Sequence, residues 1–344
     1  MPAPDTGSEL PRDYCGALAR AIVTNVQNVV HGRTEAVELV ACAVLAGGHA
    51  LIEDVPGSGK TTLARAFARS MGGTFHRIQA TADLLPADIT GSGIWDPDSR
   101  RFHFVPGPLF AHVVLADELN RTTPRTQSAF LEAMDEGAVT VDGVRHPLPD
   151  PFFVVATQNP LEQHGTYPLP EGQLDRFAVC VRLGGIDLNA ERQVVVEQLV
   201  RPTVDDLDPV ADPERLRVAR TQVRLTHIAG SVLEHALAVV RSTRTDPRIV
   251  LGASSRAALV LLRCAQARAL LYGRNYVTPD DTKAMAGPVL AHRLLMASGL
   301  SQAGPGFGGQ AFGGTGQLAG GFATAQYAES VVADLVSRVP VPVH

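Results

Sequence analysis

Apolar and polar positions alternate at helical spacing over residues 12–30 and again over 34–46, with a break at His31-Gly32. Thr34 is placed to cap the second helix, which opens with Glu35 and Glu38. Then the period changes. Short β-rich runs at 49–53, 74–78, 112–116, 152–157 and 177–181 are separated by helical stretches, which is how a parallel α/β sheet is written in sequence. Two stretches interrupt the alternation. Residues 82–105 are turn-rich and hold a predicted hairpin, Gly93-Ile94-Trp95 against Arg101-Phe102-His103-Phe104-Val105. Residues 138–149 hold a second hairpin, with Asp142-Gly143 at its turn.

After Gly184-Gly185 the text becomes helical only, with predicted helices at 187–200, 213–223, 230–243, 254–272, 278–296 and 325–336. This divides the chain into 1–184, an α/β unit preceded by helices, and 185–344, a smaller all-helical unit. Two domains also suit 344 residues. Residues 301–325 contain nine glycines and almost no charge, the composition of a flexible insertion.

Composition narrows the function. A net charge of −5 argues against a dedicated nucleic-acid surface, and Arg100-Arg101 beside Phe102 and Phe104 weighs little against it. The most apolar stretch, residues 39–52, is too short to span a bilayer. The N-terminal residues show no basic and apolar leader, and Cys15, Cys42, Cys180 and Cys264 lack metal-ligand spacing. Reduced thiols in a cytoplasmic protein are the expectation. His227 and His235 read as helix-surface histidines, and the acidic residues at 205–214 as a solvated linker.

Of 30 basic residues only Lys60 and Lys283 are lysines, and Lys60 falls in Asp54-Val55-Pro56-Gly57-Ser58-Gly59-Lys60-Thr61-Thr62. This follows the phosphate-binding pattern G-x-x-x-x-G-K-[ST], with Asp54 in place of the first glycine, between an apolar strand and a helix. Backbone N–H groups at Gly57–Lys60 would wrap a β-phosphate, Lys60 would reach the β- and γ-oxygens, and Thr61 would ligate Mg²⁺. The run Val113-Val114-Leu115-Ala116-Asp117-Glu118 ends an apolar strand in two carboxylates. Asp117 suits the Mg²⁺ shell and Glu118 the polarisation of an attacking water.

These motifs, with Asp117-Glu118-Leu119-Asn120-Arg121, Leu131-Glu132-Ala133-Met134, Ala156-Thr157-Gln158-Asn159-Pro160 and the run from Gly165 through Leu174-Asp175-Arg176-Phe177, resemble the MoxR family of AAA+ ATPases over roughly residues 20–298. The resemblance implies an AAA+ P-loop core, a parallel five-stranded sheet with flanking helices, followed by a helical lid. It implies ATP and Mg²⁺ as cofactors and places Asp54 within the family's pattern. By the same likeness Asn159 matches sensor 1, Arg176 the arginine finger and Arg256 sensor 2, while Val30 and Gly32 flank the adenine pocket. Gln79 is placed to hold Glu118 inactive until a partner binds. The implied activity is ATP-driven remodelling, maturation or cofactor insertion in a protein client. The implied assembly is a ring, a hexamer, working with a von Willebrand factor A domain protein. A metalloenzyme activase of chelatase type and a non-hydrolysing nucleotide-dependent scaffold are the alternatives.

Overall fold

A computed structural model describes residues 12–54, 57–159, 165–200, 204–297 and 320–341. Helices α1 (Arg12–Gln27) and α2 (Thr34–Ala46) lead into β1 (Ala50–Glu53), α3 (Lys60–Ser70) and β2 (Phe75–Gln79). A short α4 (Pro86–Thr90) precedes the hairpin β3 (Gly91–Asp96) and β4 (Arg101–Pro106). Then come β5 (Val113–Asp117), α5 (Pro124–Glu136), the hairpin β6 (Ala138–Val141) and β7 (Val144–Pro147), β8 (Phe153–Gln158), α6 (Glu171–Leu174) and β9 (Val179–Val181). The remainder is helical, α7 (Leu188–Val200), α8 (Pro213–Arg224), α9 (Gly230–Ser242), α10 (Ser255–Leu271), α11 (Pro279–Leu290) and α12 (Gly320–Arg338). Among the described residues it is interrupted by a small ribbon of β10 (Ile249–Leu251) and β11 (Leu295–Met296).

The five long-range strands form one parallel sheet in the order β2-β5-β8-β1-β9. The inner strands β5, β8 and β1, and β9 beside them, are apolar on both sides because helices cover both faces, whereas the edge strand β2 buries Ile78 and exposes His76, Arg77 and Gln79. Ile52, Leu115 and Val155 enter one core layer, whereas their neighbours Leu51, Val114, Ala116 and Val154 enter the other. The first layer is continuous from α1 and α2 through the sheet to α8, α10, α11 and α12, so the N-terminal helices are the seat on which the helical domain packs.

Both predicted hairpins form, and Asp142 and Gly143 take the two left-handed conformations that a tight hairpin turn requires. The hairpins also meet each other, with the Phe104 ring stacked on His146 at 3.8 Å. Four expectations are corrected. The first helix ends at Gln27 rather than residue 30. Thr34 is the first helical residue, not the cap; Arg33 holds the cap position and turns its guanidinium to the Gly184 carbonyl at 2.9 Å. The helix expected over 278–296 stops at Leu290, because its tail is drawn out to pair with β10. His235 is buried, at 1% exposure, because α12 packs across α9, and His227 lies on an exposed connection rather than a helix. Residues 301–319 of the glycine-rich stretch lie outside the described residues, and α12 starts before that stretch ends.

One buried charge holds the helical domain together. Asp281, fully buried at the start of α11, accepts from Arg268, from Arg274 through both terminal nitrogens, and from the backbone and hydroxyl of Thr278. Burial alone would raise its pKa, but these donors outweigh it and hold the carboxyl at about 2. A depressed carboxylate stabilises the fold above its ordinary titration range and loses that contribution as pH falls through about 4 toward 2. Asp281→Ala should therefore cost about 3–5 kcal/mol at pH 7, because two arginines lose their buried partner. Denaturant melts at pH 7 and pH 3 check this, with the gap between wild type and variant narrowing at the lower pH.

Candidate active site

The phosphate loop leaves the C-terminal end of β1, and its two glycines are needed for their backbone. Gly57 and Gly59 have φ of +82° and +89°, and a Cβ on either would point into open space. The space is where a phosphate chain would lie, and between the two glycines Ser58 has a buried hydroxyl without a partner among the described residues. Lys60, at 8% exposure, donates to the Asp54 carbonyl at 2.9 Å. The loop therefore fits a nucleotide, with Gly57, Ser58, Gly59, Lys60, Thr61 and Thr62 arranged around the start of α3. Val55 and Pro56 lie outside the described residues. The Asp54 carboxylate accepts from the Gly184 backbone N–H at 3.1 Å, while Arg33 holds the Gly184 carbonyl. The residue that departs from the glycine pattern thus ties the loop to the junction between the two domains.

Beside the loop is a cleft of about 120 Å³ walled by Val29, Val30, His31, Ile186 and Val194. Its apolar sides and adjacent phosphate loop suit a purine base. Gly32 stands behind this wall. A Cβ there would meet Ala190 at 2.8 Å, so the glycine lets the turn pack on α7.

Asp117 and Glu118 end β5. The Asp117 carboxylate takes the Thr157 hydroxyl at 2.7 Å and Arg77 at 2.5 Å. Glu118 stands in the left-handed region at φ +58°, an uncommon conformation for a long side chain that turns its carboxylate out of the strand. Its backbone N–H is held by Thr157 at 2.8 Å, and its carboxylate accepts from Gln79 at 3.1 Å and Arg121 at 3.2 Å. Asn159 follows β8 on the neighbouring strand end and is buried.

Arg176 and Arg256 lie elsewhere. Asp135, at the end of α5, binds both, Arg176 at 2.6 Å through one oxygen and Arg256 at 2.7 Å through the other. The residue before Arg176 pins the same junction, since Asp175 accepts from Arg293 at 2.8 Å and from the Ser254 hydroxyl. His49, just before β1, joins the end of α5 to the sheet. The Val154 N–H donates to its Nδ1, leaving Nε2 to donate to the Met134 carbonyl. Burial pushes this imidazole down to about 4, so it is neutral at physiological pH. All these contacts are at the N-terminal edge of the strands. The phosphate loop is at the other edge, a strand length of roughly 13 Å away for the four residues of β1.

Residues 49–179 match the model of the ATPase family associated with various cellular activities (AAA), and 241–305 match the AAA lid domain. The chain is 37% identical to the chaperone MoxR1 of Mycobacterium tuberculosis over 311 residues, 86% of this chain and 80% of that one. The chain belongs to the MoxR family of AAA+ ATPases. It is also 46% identical to an uncharacterised Bacillus subtilis protein, YeaC, over 274 residues, 80% of this chain and 86% of YeaC. A crystal structure of a candidate ATPase from Cytophaga hutchinsonii superposes with a TM-score of 0.83 at 31% identity, covering 96% of this chain and 97% of that one.

In this MoxR ATPase the structure brings Lys60 and Thr61, with the rest of their loop, to the strand ends that carry Asp117, Glu118 and Asn159. It keeps Arg176 and Arg256 apart from them. Residues that sequence reasoning passed over complete the site. Thr157 holds the Asp117 carboxylate and the Glu118 backbone N–H, a contact set by the parallel register that puts β8 beside β5. Arg33, Ile186 and Val194 carried no motif, because they reach the nucleotide cleft only through the packing of α7. Among the described residues no cluster of three or more His, Cys, Asp or Glu side chains could hold a metal ion by itself. None of the described helices is long and apolar enough to cross a membrane.

Proposed function

We propose that this ATPase works as a ring, a hexamer, in which Mg²⁺-dependent ATP hydrolysis drives remodelling, maturation or cofactor insertion in a protein client, with a von Willebrand factor A domain protein as partner. The observation that carries the reading is the separation of Arg176 and Arg256 from Lys60 by the length of the sheet. Two arginines held by one carboxylate on an accessible edge serve a nucleotide only if that nucleotide belongs to a neighbouring subunit. Within one subunit Lys60 neutralises the γ-phosphate, Glu118 polarises the attacking water and Asn159 positions it. Thr61 and Asp117 are the residues that would hold Mg²⁺, which would supply positive charge to neutralise that developing on the phosphates. Arg176 supplies charge across the interface. Arg256, at the start of α10, shares its carboxylate partner and so links the lid to the same event.

Remodelling rather than mere binding is supported by the likeness to a protein named as a chaperone over most of both lengths. The activase alternative has no comparable support, and the scaffold alternative leaves Glu118 and Arg176 without a purpose. The test is capture with a non-hydrolysable ATP analogue. Wild type should assemble and retain a von Willebrand factor A domain partner, and Lys60→Ala should do neither, because ATP binding is abolished when the γ-phosphate loses its point charge. Equal assembly and retention by Lys60→Ala would overturn the nucleotide-driven reading.

A further inference from the structure

Asp117 has both oxygens engaged, and the two partners differ in kind. Oδ1 accepts from Thr157, a fully buried hydroxyl fixed in the adjacent strand. Oδ2 accepts from Arg77, whose side chain is 48% exposed on the edge strand β2. The same Arg77 nitrogen donates to the Gln79 side-chain carbonyl at 2.9 Å, and the Gln79 amide nitrogen donates to Glu118. The geometry follows from the strand. Arg77 and Gln79 are two residues apart and share one face, and Gln79 pairs in register with Asp117. The orientation of the Gln79 amide is also set by chemistry. A guanidinium only donates and a carboxylate only accepts, so the carbonyl must face Arg77 and the nitrogen must face Glu118.

Building on the assignment of Asp117 to Mg²⁺ and Glu118 to water, we propose that Arg77 is the resting counter-ion of Asp117 and, through Gln79, the residue that locks Glu118. Arg77 must leave Oδ2 before that carboxylate can take a divalent cation, since a guanidinium and a dication cannot share one oxygen without strong repulsion. Its half-exposed position lets it swing out, which Thr157 cannot do. Once Arg77 leaves, Gln79 loses the donor that aligns it, and the contact from Arg121 is what stays on the Glu118 carboxylate among the described residues. Metal arrival and release of the water-polarising carboxylate then become one event, so the enzyme does not activate water before the nucleotide's cation is in place. Arg77 acts here as a positioning residue.

The experiment titrates Mn²⁺ against protein saturated with a non-hydrolysable ATP analogue, reading free Mn²⁺ by electron paramagnetic resonance. Arg77→Gln should bind Mn²⁺ about 1.5-fold to fivefold more tightly than wild type, the range expected when a partly exposed competing ion pair is removed. Arg77→Lys should fall between, because it keeps the charge while its shorter side chain reaches Asp117 and Gln79 less closely. Gln79→Ala should leave Mn²⁺ affinity at the wild-type value while raising turnover without partner, since Gln79 touches Glu118 and not Asp117. Unchanged or weaker Mn²⁺ binding in Arg77→Gln overturns the proposal. Asp117→Asn separates the two levels of the argument. If it binds Mn²⁺ as wild type does, the assignment of Asp117 fails, and the role of Arg77 fails with it. If it loses Mn²⁺ while Arg77→Gln is unchanged, only the role of Arg77 fails.

Discussion

Arg176→Ala subunits are expected to bind ATP as wild type does and to lose about 10³–10⁵ in turnover, the usual worth of an arginine finger. Binding survives because Lys60 and Thr61 of the same chain are untouched, a sheet length away. Turnover collapses because charge developing on the γ-phosphate meets no cation from the neighbouring subunit. Lys60→Ala has the opposite defect, a dead loop with an intact arginine. Mixing the two inactive variants should restore activity at interfaces where an intact loop faces an intact Arg176, and dilution should abolish the rescue. Arg176→Lys should be a poor substitute, since an ammonium lacks the planar fork. Normal hydrolysis by Arg176→Ala, or no recovery in mixtures shown to co-assemble, would remove the trans-acting role.

Glu118→Gln is expected to retain ATP affinity and to lower turnover by about 10²–10⁴, the range for a lost general base. The amide is nearly isosteric, so the left-handed turn at Glu118 and the bond its backbone N–H donates to Thr157 persist, and only the ability to draw a proton from water is gone. Radiolabelled ATP should stay bound through gel filtration in the variant and be released as ADP by wild type. Wild-type turnover by Glu118→Gln would show that another group polarises the water.

The parts of this site that could be read in the sequence are those whose chemistry is local. A strand, a glycine turn with left-handed backbone and a lysine at a helix start announce the phosphate loop within a few residues. Asp117-Glu118 announces itself at a strand end, and Asp142-Gly143 at a hairpin turn, for the same reason. The rest depends on neighbours that only folding supplies. Asp135 joins Arg176 and Arg256 across contacts of 41 and 121 residues in sequence, and no local pattern singles out that aspartate from the 35 acidic residues. His235 sits on a helix whose exposed face cannot be known before α12 returns to cover it. The β10–β11 ribbon pairs two short segments more than 40 residues apart, where helical periodicity on one side masks the strand.

The hairpin of β3 and β4 has an optical consequence. Trp95 is the chain's single tryptophan, about half exposed, with its indole edge-on to the outward-facing Phe102 at 5.2 Å. Excited at the red edge of protein absorbance, the molecule therefore emits from one hydrated indole at the tip of a ribbon, far in character from the buried sheet. That emission reports the ribbon more directly than the buried sheet and is tuned to whatever lands there: a surface that covers Trp95 shifts its colour toward the blue. The fold has in effect placed its own fluorophore on one projecting arm.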